Sequence, residues 1–256
     1  MTERAMAFER LATIMDELRA SCPWDKKQTL DSLRHLTIEE TYELADSIVD
    51  KDLPAIKKEL GDILLHILFY AKIGSEQKEF DITDVINAQC EKLIYRHPHI
   101  YGDVKVKDED EVKRNWEQLK LKEGKENSSV LDGVPRSLPS LVKSMRIQEK
   151  ARGVGFDWEK PEQVWEKVEE EMREFREAAD SGKEEEAMAE FGDVLFSLIN
   201  YARFKNINPD EALERTNKKF IHRFQYLEDA ARKNGKSLSE MTLEEMDVFW
   251  NEAKRK

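Results

Sequence analysis

The sequence predicts an all-α protein built as two tandem, related helical bundles. Three observations carry that reading. Hydrophobic residues make up 39% and charged residues 38% of the chain, a balance that suits helices with one apolar face and a heavily charged outer face. Only 10 Gly and 7 Pro punctuate 256 residues, and no stretch alternates with the period of two that marks a strand. Finally, an acidic pattern occurs twice. Glu39, Glu40, Glu43, Glu59 and Asp62 each recur 131 positions later, as Glu170, Glu171, Glu174, Glu190 and Asp193.

Taken in order, Phe8, Leu11, Ile14, Met15 and Leu18 fall at helical spacing, so a first helix ends near Ser21-Cys22-Pro23. Trp24 to Thr29 reads as a loop or short turn. Thr37 and Glu40 have the spacing of a capping box, which predicts a second helix starting there and running to about Asp50. Lys51-Asp52-Leu53-Pro54 turns the chain, and Pro54 suits a first helical turn. The next helix carries Leu60, Ile63, Leu64, Ile67, Leu68 and Ala71, with Gly74 as its expected end. Asp81 opens another, running to His97-Pro98-His99. Gly102 to Asp108 reads as loop, and Glu109 to Lys122 as a short helix holding Trp116.

Asn127-Ser128-Ser129, Gly133, Pro135 and Pro139 cluster between Gly124 and Pro139, the composition of a linker. The expected domains are therefore 1–126 and 127–256. The second half repeats the plan. Helices are predicted from about Leu138 to Arg152, from Pro161 to about Asp180, from Lys183 through Ala202, and from Pro209 to about Arg232. Gly153 to Trp158 reads as loop, while Ser181-Gly182 and Asn234-Gly235 read as turns. Thr242, with Glu245 three residues on, caps a last helix containing Trp250.

A net charge of −12 lacks the basic footprint of a general nucleic-acid binder. Cys22 and Cys90 make neither a disulfide framework nor a zinc site by themselves. Met1 to Arg10 lacks a signal-peptide core, and the apolar run Ile63 to Ile73 contains His66 and Lys72 and is too short to span a bilayer. The expectation is a soluble cytoplasmic protein with no nucleic-acid or membrane partner.

The acids carry the chemistry. Residues three apart share a helix face, so Glu171 points with Glu174, and Glu190 with Asp193. The short turn at Ser181-Gly182 makes their helices antiparallel neighbours, bringing four carboxylates together. Unpaired, they would repel and partly protonate. A divalent cation resolves the conflict, and an all-oxygen set favours Mg²⁺, with Mn²⁺ as a substitute. Glu40, Glu43, Glu59 and Asp62 form the matching set. Each aspartate adjoins a core-forming run, Ile63-Leu64-Leu65 or Val194 to Ile199, where an acid without a counter-charge is costly.

Cations follow each quartet. Lys92 with Arg96, and Lys219 with Arg223, are four apart, a spacing that grips phosphate oxygens. Trp116 and Trp250 come later, each with a lysine four residues on, and an aromatic there suits stacking on a nucleobase. The alternatives are an exposed basic surface and core-anchoring tryptophans. His66 aligns with Ser197 and reads as a core or boundary histidine. His97 and His99 read as loop structure. Two other readings of the whole compete. A di-iron carboxylate bundle needs Glu-x-x-His, but Ser32, Ile63, Ile94, Arg96 and Lys219 stand three residues before the five histidines. A non-enzymatic helical scaffold accounts for the helices and leaves the registered acids unexplained.

Glu-Glu-x-x-Glu followed by Glu-x-x-Asp resembles the signature of the all-α nucleoside triphosphate pyrophosphohydrolases, and more closely the MazG family, whose bacterial form has two such domains in tandem. The likeness extends through Cys22-Pro23-Trp24-Asp25, Arg96-His97-Pro98-His99, Pro135 to Pro139 and Val154 to Trp158. It implies hydrolysis of the α–β phosphoanhydride of nucleoside triphosphates and a homodimer. Carried over, Glu171, Glu174, Glu190 and Asp193 would hold Mg²⁺, with Glu170 beside them as a supporting or base residue. Lys219 and Arg223 would take phosphates, Trp250 the base, and Lys167 and Val168 would line the pocket. The first-half set would be Glu40, Glu43, Glu59 and Asp62 with Glu39, Lys92, Arg96 and Trp116. The resemblance leans toward the second copy as the principal catalyst.

Overall fold

The computed structural model describes residues 1–108, 111, 112, 115, 116, 119 and 129–255, and no strand occurs among them. The chain forms two compact units, Met1–Lys107 and Asp108–Lys256. The boundary expected at 126/127 lies outside the described residues, and Trp116 falls in the second unit. Of the helix expected over Glu109 to Lys122, residues 111, 112, 115, 116 and 119 are helical and the others lie outside the described residues.

In the first unit, α1 spans Glu3–Ser21, α2 Leu30–Asp50, α3 Leu53–Glu76, α4 Ile82–Arg96 and the single turn α5 Pro98–Tyr101. The start of α2 corrects the sequence reading. Thr29, not Thr37, is the N-cap, exchanging side-chain and backbone hydrogen bonds with Ser32. Thr37 lies inside the helix, where its hydroxyl donates to the Leu33 carbonyl and also meets His66 Nδ1 at 3.1 Å and the Tyr70 hydroxyl at 2.6 Å. A hydroxyl with three tertiary or i−4 partners has no need of an exposed helix end. Helix α3 likewise runs two residues beyond Gly74. The Phe80 ring lies over that glycine, and a Cβ there would come within 2.7 Å of it. The glycine makes room for a ring, and the helix stops at Gln77 instead.

Helices α1, α2 and α3 bury Met15, Leu33, Leu68, Phe69 and Ile73 as one cluster. Each such side chain contributes about 2 kcal/mol on leaving water. Arg19 ties the 3-10 turn Asp25–Lys27 to this framework. Its guanidinium donates to the carbonyls of Asp25 and Gln28 and to both carboxylate oxygens of Glu76.

In the second unit, a 3-10 turn at Val130–Gly133 precedes α6 Ser140–Gly153, α7 Pro161–Asp180, α8 Glu184–Phe204, α9 Pro209–Lys233 and α10 Leu243–Ala253. Helix α6 starts two residues after the expected Leu138, with Pro139 at the cap. Gly182 takes φ 73° in the turn joining α7 to α8, a left-handed conformation that glycine adopts without strain. That turn lays α8 back along α7, and the pair buries Val164, Val168, Ala178, Val194 and Ile199. Asn208 caps α9, and Thr242 with Glu245 forms the expected capping box of α10. Leu227, Ala231 and Ala253 are buried where α9 and α10 pack.

Candidate metal centres and their cavity

Helix periodicity brings the acids of each copy together. In the first unit, α2 supplies Glu40 and Glu43 and α3 supplies Glu59, with one oxygen from each within 4.8 Å of the others. In the second, Glu171 and Glu174 on α7 meet Glu190 on α8 in the same way. Both groups offer oxygen alone, which fits a hard divalent cation. The fourth acid of each set stands outside that tight grouping but is felt by it. Desolvation first, then the charges of Asp62, Glu43 and Glu59, raise the Glu40 pKa above the usual carboxylate value. Desolvation, then Glu174, Asp193 and Glu171, raise that of Glu190 in the same sense. A carboxylate held up by its neighbours marks a surplus of negative charge that a cation relieves.

Each copy buries one member and gives it a lysine. In the first, Glu59 is 5% exposed and Lys58 Nζ stands 3.0 Å from it, 3.7 Å from Asp62 and 3.9 Å from Glu43. In the second, Glu171 is 7% exposed and Lys167 Nζ lies 2.7 Å from it and 2.9 Å from Glu170. The hydrogen bonds to Glu171 and then Glu170 hold the Lys167 ammonium well above its ordinary pKa. The lysines are not in register: Ala189 stands where Lys58 would recur, and Leu36 where Lys167 would have its counterpart.

The second site opens into a cavity of about 620 Å³. Lys167, Glu171 and Asp193 line one part, and Phe156, Trp158 and Phe196 line another. Beside them, Arg203 bridges Asp157 and the Asn200 side-chain oxygen, fixing the loop before α7 to α8. A volume in the hundreds of Å³ with mixed apolar and charged walls is that of a small-molecule site.

A family model described as "MazG nucleotide pyrophosphohydrolase domain" matches residues 28–101 and 159–227, one stretch around each acid set. The chain belongs to that family. Among MazG relatives, the chain is 44% identical over 257 residues to the Thermotoga maritima protein named nucleoside triphosphate pyrophosphohydrolase/pyrophosphatase MazG, covering 99% of this chain and 98% of that one. It is 39% identical over 258 residues to the Escherichia coli K12 nucleoside triphosphate pyrophosphohydrolase, covering 97% of each. An uncharacterized Bacillus subtilis protein, YabN, is 49% identical over 251 residues, but these span 51% of its length.

Within this MazG chain the remaining sequence-predicted residues fall as follows. Glu39 is exposed, and Glu170 is half-buried against Lys167. Val168 is a core residue, 3% exposed, and does not line the cavity. Lys219 is exposed, and Arg223 lays its guanidinium 5.8 Å from the centre of the Trp250 ring, which also packs against Phe220. That group does not line the cavity beside Glu171. Lys92 is exposed and Arg96 half-buried near the end of α4, in a different unit from Trp116. His66 is buried, as expected, and desolvation lowers its pKa against a smaller raising effect of Asp62.

Sequence reasoning missed Lys58, Gln148 and the Asp157–Asn200–Arg203 bridge. The i, i+4 spacing of Lys58 and Asp62 was a usable signal. The bridge spans 46 residues, which no local pattern reveals. Among the described residues no helix is long and apolar enough to cross a membrane.

Proposed function

We propose that this chain is a Mg²⁺-dependent nucleoside triphosphate pyrophosphohydrolase, converting NTP or dNTP and water to the nucleoside monophosphate and pyrophosphate. The observation that carries the reading is the convergence of Glu171, Glu174 and Glu190, of which Glu171 lines a cavity together with Lys167 and Asp193. The names of the two full-length relatives support the same reaction.

Glu171, Glu174, Glu190 and Asp193 would hold Mg²⁺ in the second unit, and Glu40, Glu43, Glu59 and Asp62 in the first. Mn²⁺ has the same preference for oxygen donors. Held there, Mg²⁺ would supply positive charge to offset that of the triphosphate and the Lewis acidity that makes water a nucleophile at neutral pH. The chain does the rest. Glu170, hydrogen-bonded by Lys167 at 2.9 Å, would take the proton of the attacking water. Lys219 and Arg223, which lie outside the cavity wall, would meet charge developing on the departing pyrophosphate, and Trp250 would offer a face to the base. Glu39, Lys92, Arg96 and Trp116 are the corresponding first-copy groups. The setting is cytoplasmic, and the role is cleaning of the nucleotide pool or control of a stress nucleotide.

A homodimer completes this reading. Phe191, Leu195 and Leu198 on α8, and Leu60 and Ile67 on α3, are 40–52% exposed on the very helices that carry the acids. Exposed apolar rows of that kind suit burial against a second copy. A solution mass of twice the 30.0 kDa chain is expected, and a particle of single-chain mass would contradict it. For the activity itself, chelation with EDTA abolishes release of pyrophosphate from nucleoside triphosphates, and added Mg²⁺ restores it. Undiminished release in EDTA would overturn the metal assignment.

A further inference from the structure

The cavity of the second unit contains a polar group that the reaction above does not use. Gln148 on α6 is 6% exposed and lines the cavity. Its Nε2 donates to the Phe196 carbonyl at 2.8 Å. Its Oε1 is buried with no hydrogen-bond partner among the described residues. The bond to Phe196 fixes which way the amide faces, because the reverse orientation would set two acceptor oxygens against each other. Gln148 thus lines the cavity while its unmet acceptor is buried just behind the wall, where a donor reaches it through a small movement of the side chains around it. A buried unmade hydrogen bond is costly, and a ligand that brings the missing donor recovers that cost.

Three other polar groups of this wall are engaged. Ser197 donates to the Val194 carbonyl, and Asp157 and the Asn200 oxygen both accept from Arg203. The point on α8 to which Gln148 is anchored indicates which part of a nucleotide it meets. Phe196 is three residues from Asp193, so Gln148 is anchored about 5 Å along the helix axis from the acid. With the phosphates at the acids, the next part of a nucleotide is its sugar. The 3′-hydroxyl is the ring hydroxyl nearer the 5′-phosphates, and a hydroxyl is a donor that turns to suit its acceptor.

Resting on the pyrophosphohydrolase reading, we propose that Gln148 Oε1 accepts a hydrogen bond from the 3′-hydroxyl of the bound nucleoside triphosphate, making Gln148 a specificity residue for an intact sugar 3′-position. This contact is indifferent to the base and to the 2′-position. A site built around a hydrogen bond rejects the analogue that lacks it, because the protein partner is then left buried and unpaired.

The test compares ATP, 2′-deoxy-ATP and 3′-deoxy-ATP, scored by pyrophosphate release. In the wild-type chain, kcat/KM for 3′-deoxy-ATP falls about 10- to 100-fold below ATP, carried mainly by KM, while 2′-deoxy-ATP stays close to ATP. In Gln148→Leu, ATP falls to the level of 3′-deoxy-ATP and the preference disappears. Gln148→Met, which keeps the side-chain length and has no comparable acceptor, serves if the leucine variant does not fold, and should abolish the preference in the same way. Equal rates for ATP and 3′-deoxy-ATP in the wild type, or a preference that survives Gln148→Leu, would overturn the proposal. So would a larger loss with purine riboside triphosphate, which lacks the exocyclic amine, because it would place the base at Gln148. If no triphosphate yields pyrophosphate, the pyrophosphohydrolase reading fails instead. Binding of the same nucleotides with Ca²⁺ in place of Mg²⁺, followed by tryptophan fluorescence, then ranks them without turnover, and equal affinities for ATP and 3′-deoxy-ATP would still overturn the role of Gln148.

Discussion

Lys58 and Lys167 show how two copies of one acidic pattern come to differ. Each lysine partners the carboxylate its copy buries, Glu59 in the first and Glu171 in the second, yet they stand on different helices of their hairpins. Lys58 sits among three acids of the first set, whereas Lys167 engages Glu170 and Glu171. Glu190 keeps a raised pKa, from desolvation and then from the charges of Glu174, Asp193 and Glu171, the arrangement that most needs a cation. Glu174→Gln is therefore expected to lower pyrophosphate release at least about 100-fold, while Glu43→Gln has a smaller effect. The reverse ranking would make the first copy the principal catalyst. His66 yields a pH prediction. Its folded-state pKa is lowered from 6.5, chiefly by burial, so the folded chain binds its proton less readily than the unfolded chain. That contribution to stability is fully present above pH 6.5 and is lost as pH falls toward the lowered value. Thermal melts of the wild type should decline across this window more steeply than those of His66→Gln, and parallel declines would contradict the assignment.

At the scale of elements, helix ends were legible where one cap competes with no other. Asp81, Pro161, Pro209 and Thr242 all mark starts as the sequence suggested. The start of α2 was not, because Thr29 and Thr37 both offer a hydroxyl and only tertiary packing decides between them. Thr37 is taken up by His66 and Tyr70, residues 29 and 33 positions away. Thr29→Ala should cost about 1 kcal/mol in urea unfolding, and Thr29→Ser should restore most of it. A neutral Thr29→Ala would show that the cap is dispensable. The acids were readable because i, i+3 spacing fixes a helix face, and the α7–α8 turn was readable from Ser181-Gly182. The cavity was not: it is walled by α6, α7, α8 and the loop at Gly155 to Trp158, and the approach of α6 to α8 depends on packing between segments far apart in sequence.

For the molecule as a whole, the duplication at 131 positions made the family readable. Five acids in register single out a pair of candidate metal centres from the solvated acidic surface that a chain of net charge −12 would otherwise present. The same repeat aligns the carboxylates but is silent on the lysines, which fall at different positions in the two copies. Membership of the MazG family and two full-length relatives named as nucleoside triphosphate pyrophosphohydrolases agree with the site that the acids build. The central claim is that this site directs water to the α–β phosphoanhydride. It is tested most directly by following ATP hydrolysis by the intact chain with Mg²⁺ by phosphorus NMR. The account predicts AMP and pyrophosphate as first products in equal amounts, and ADP with orthophosphate as first products would contradict it.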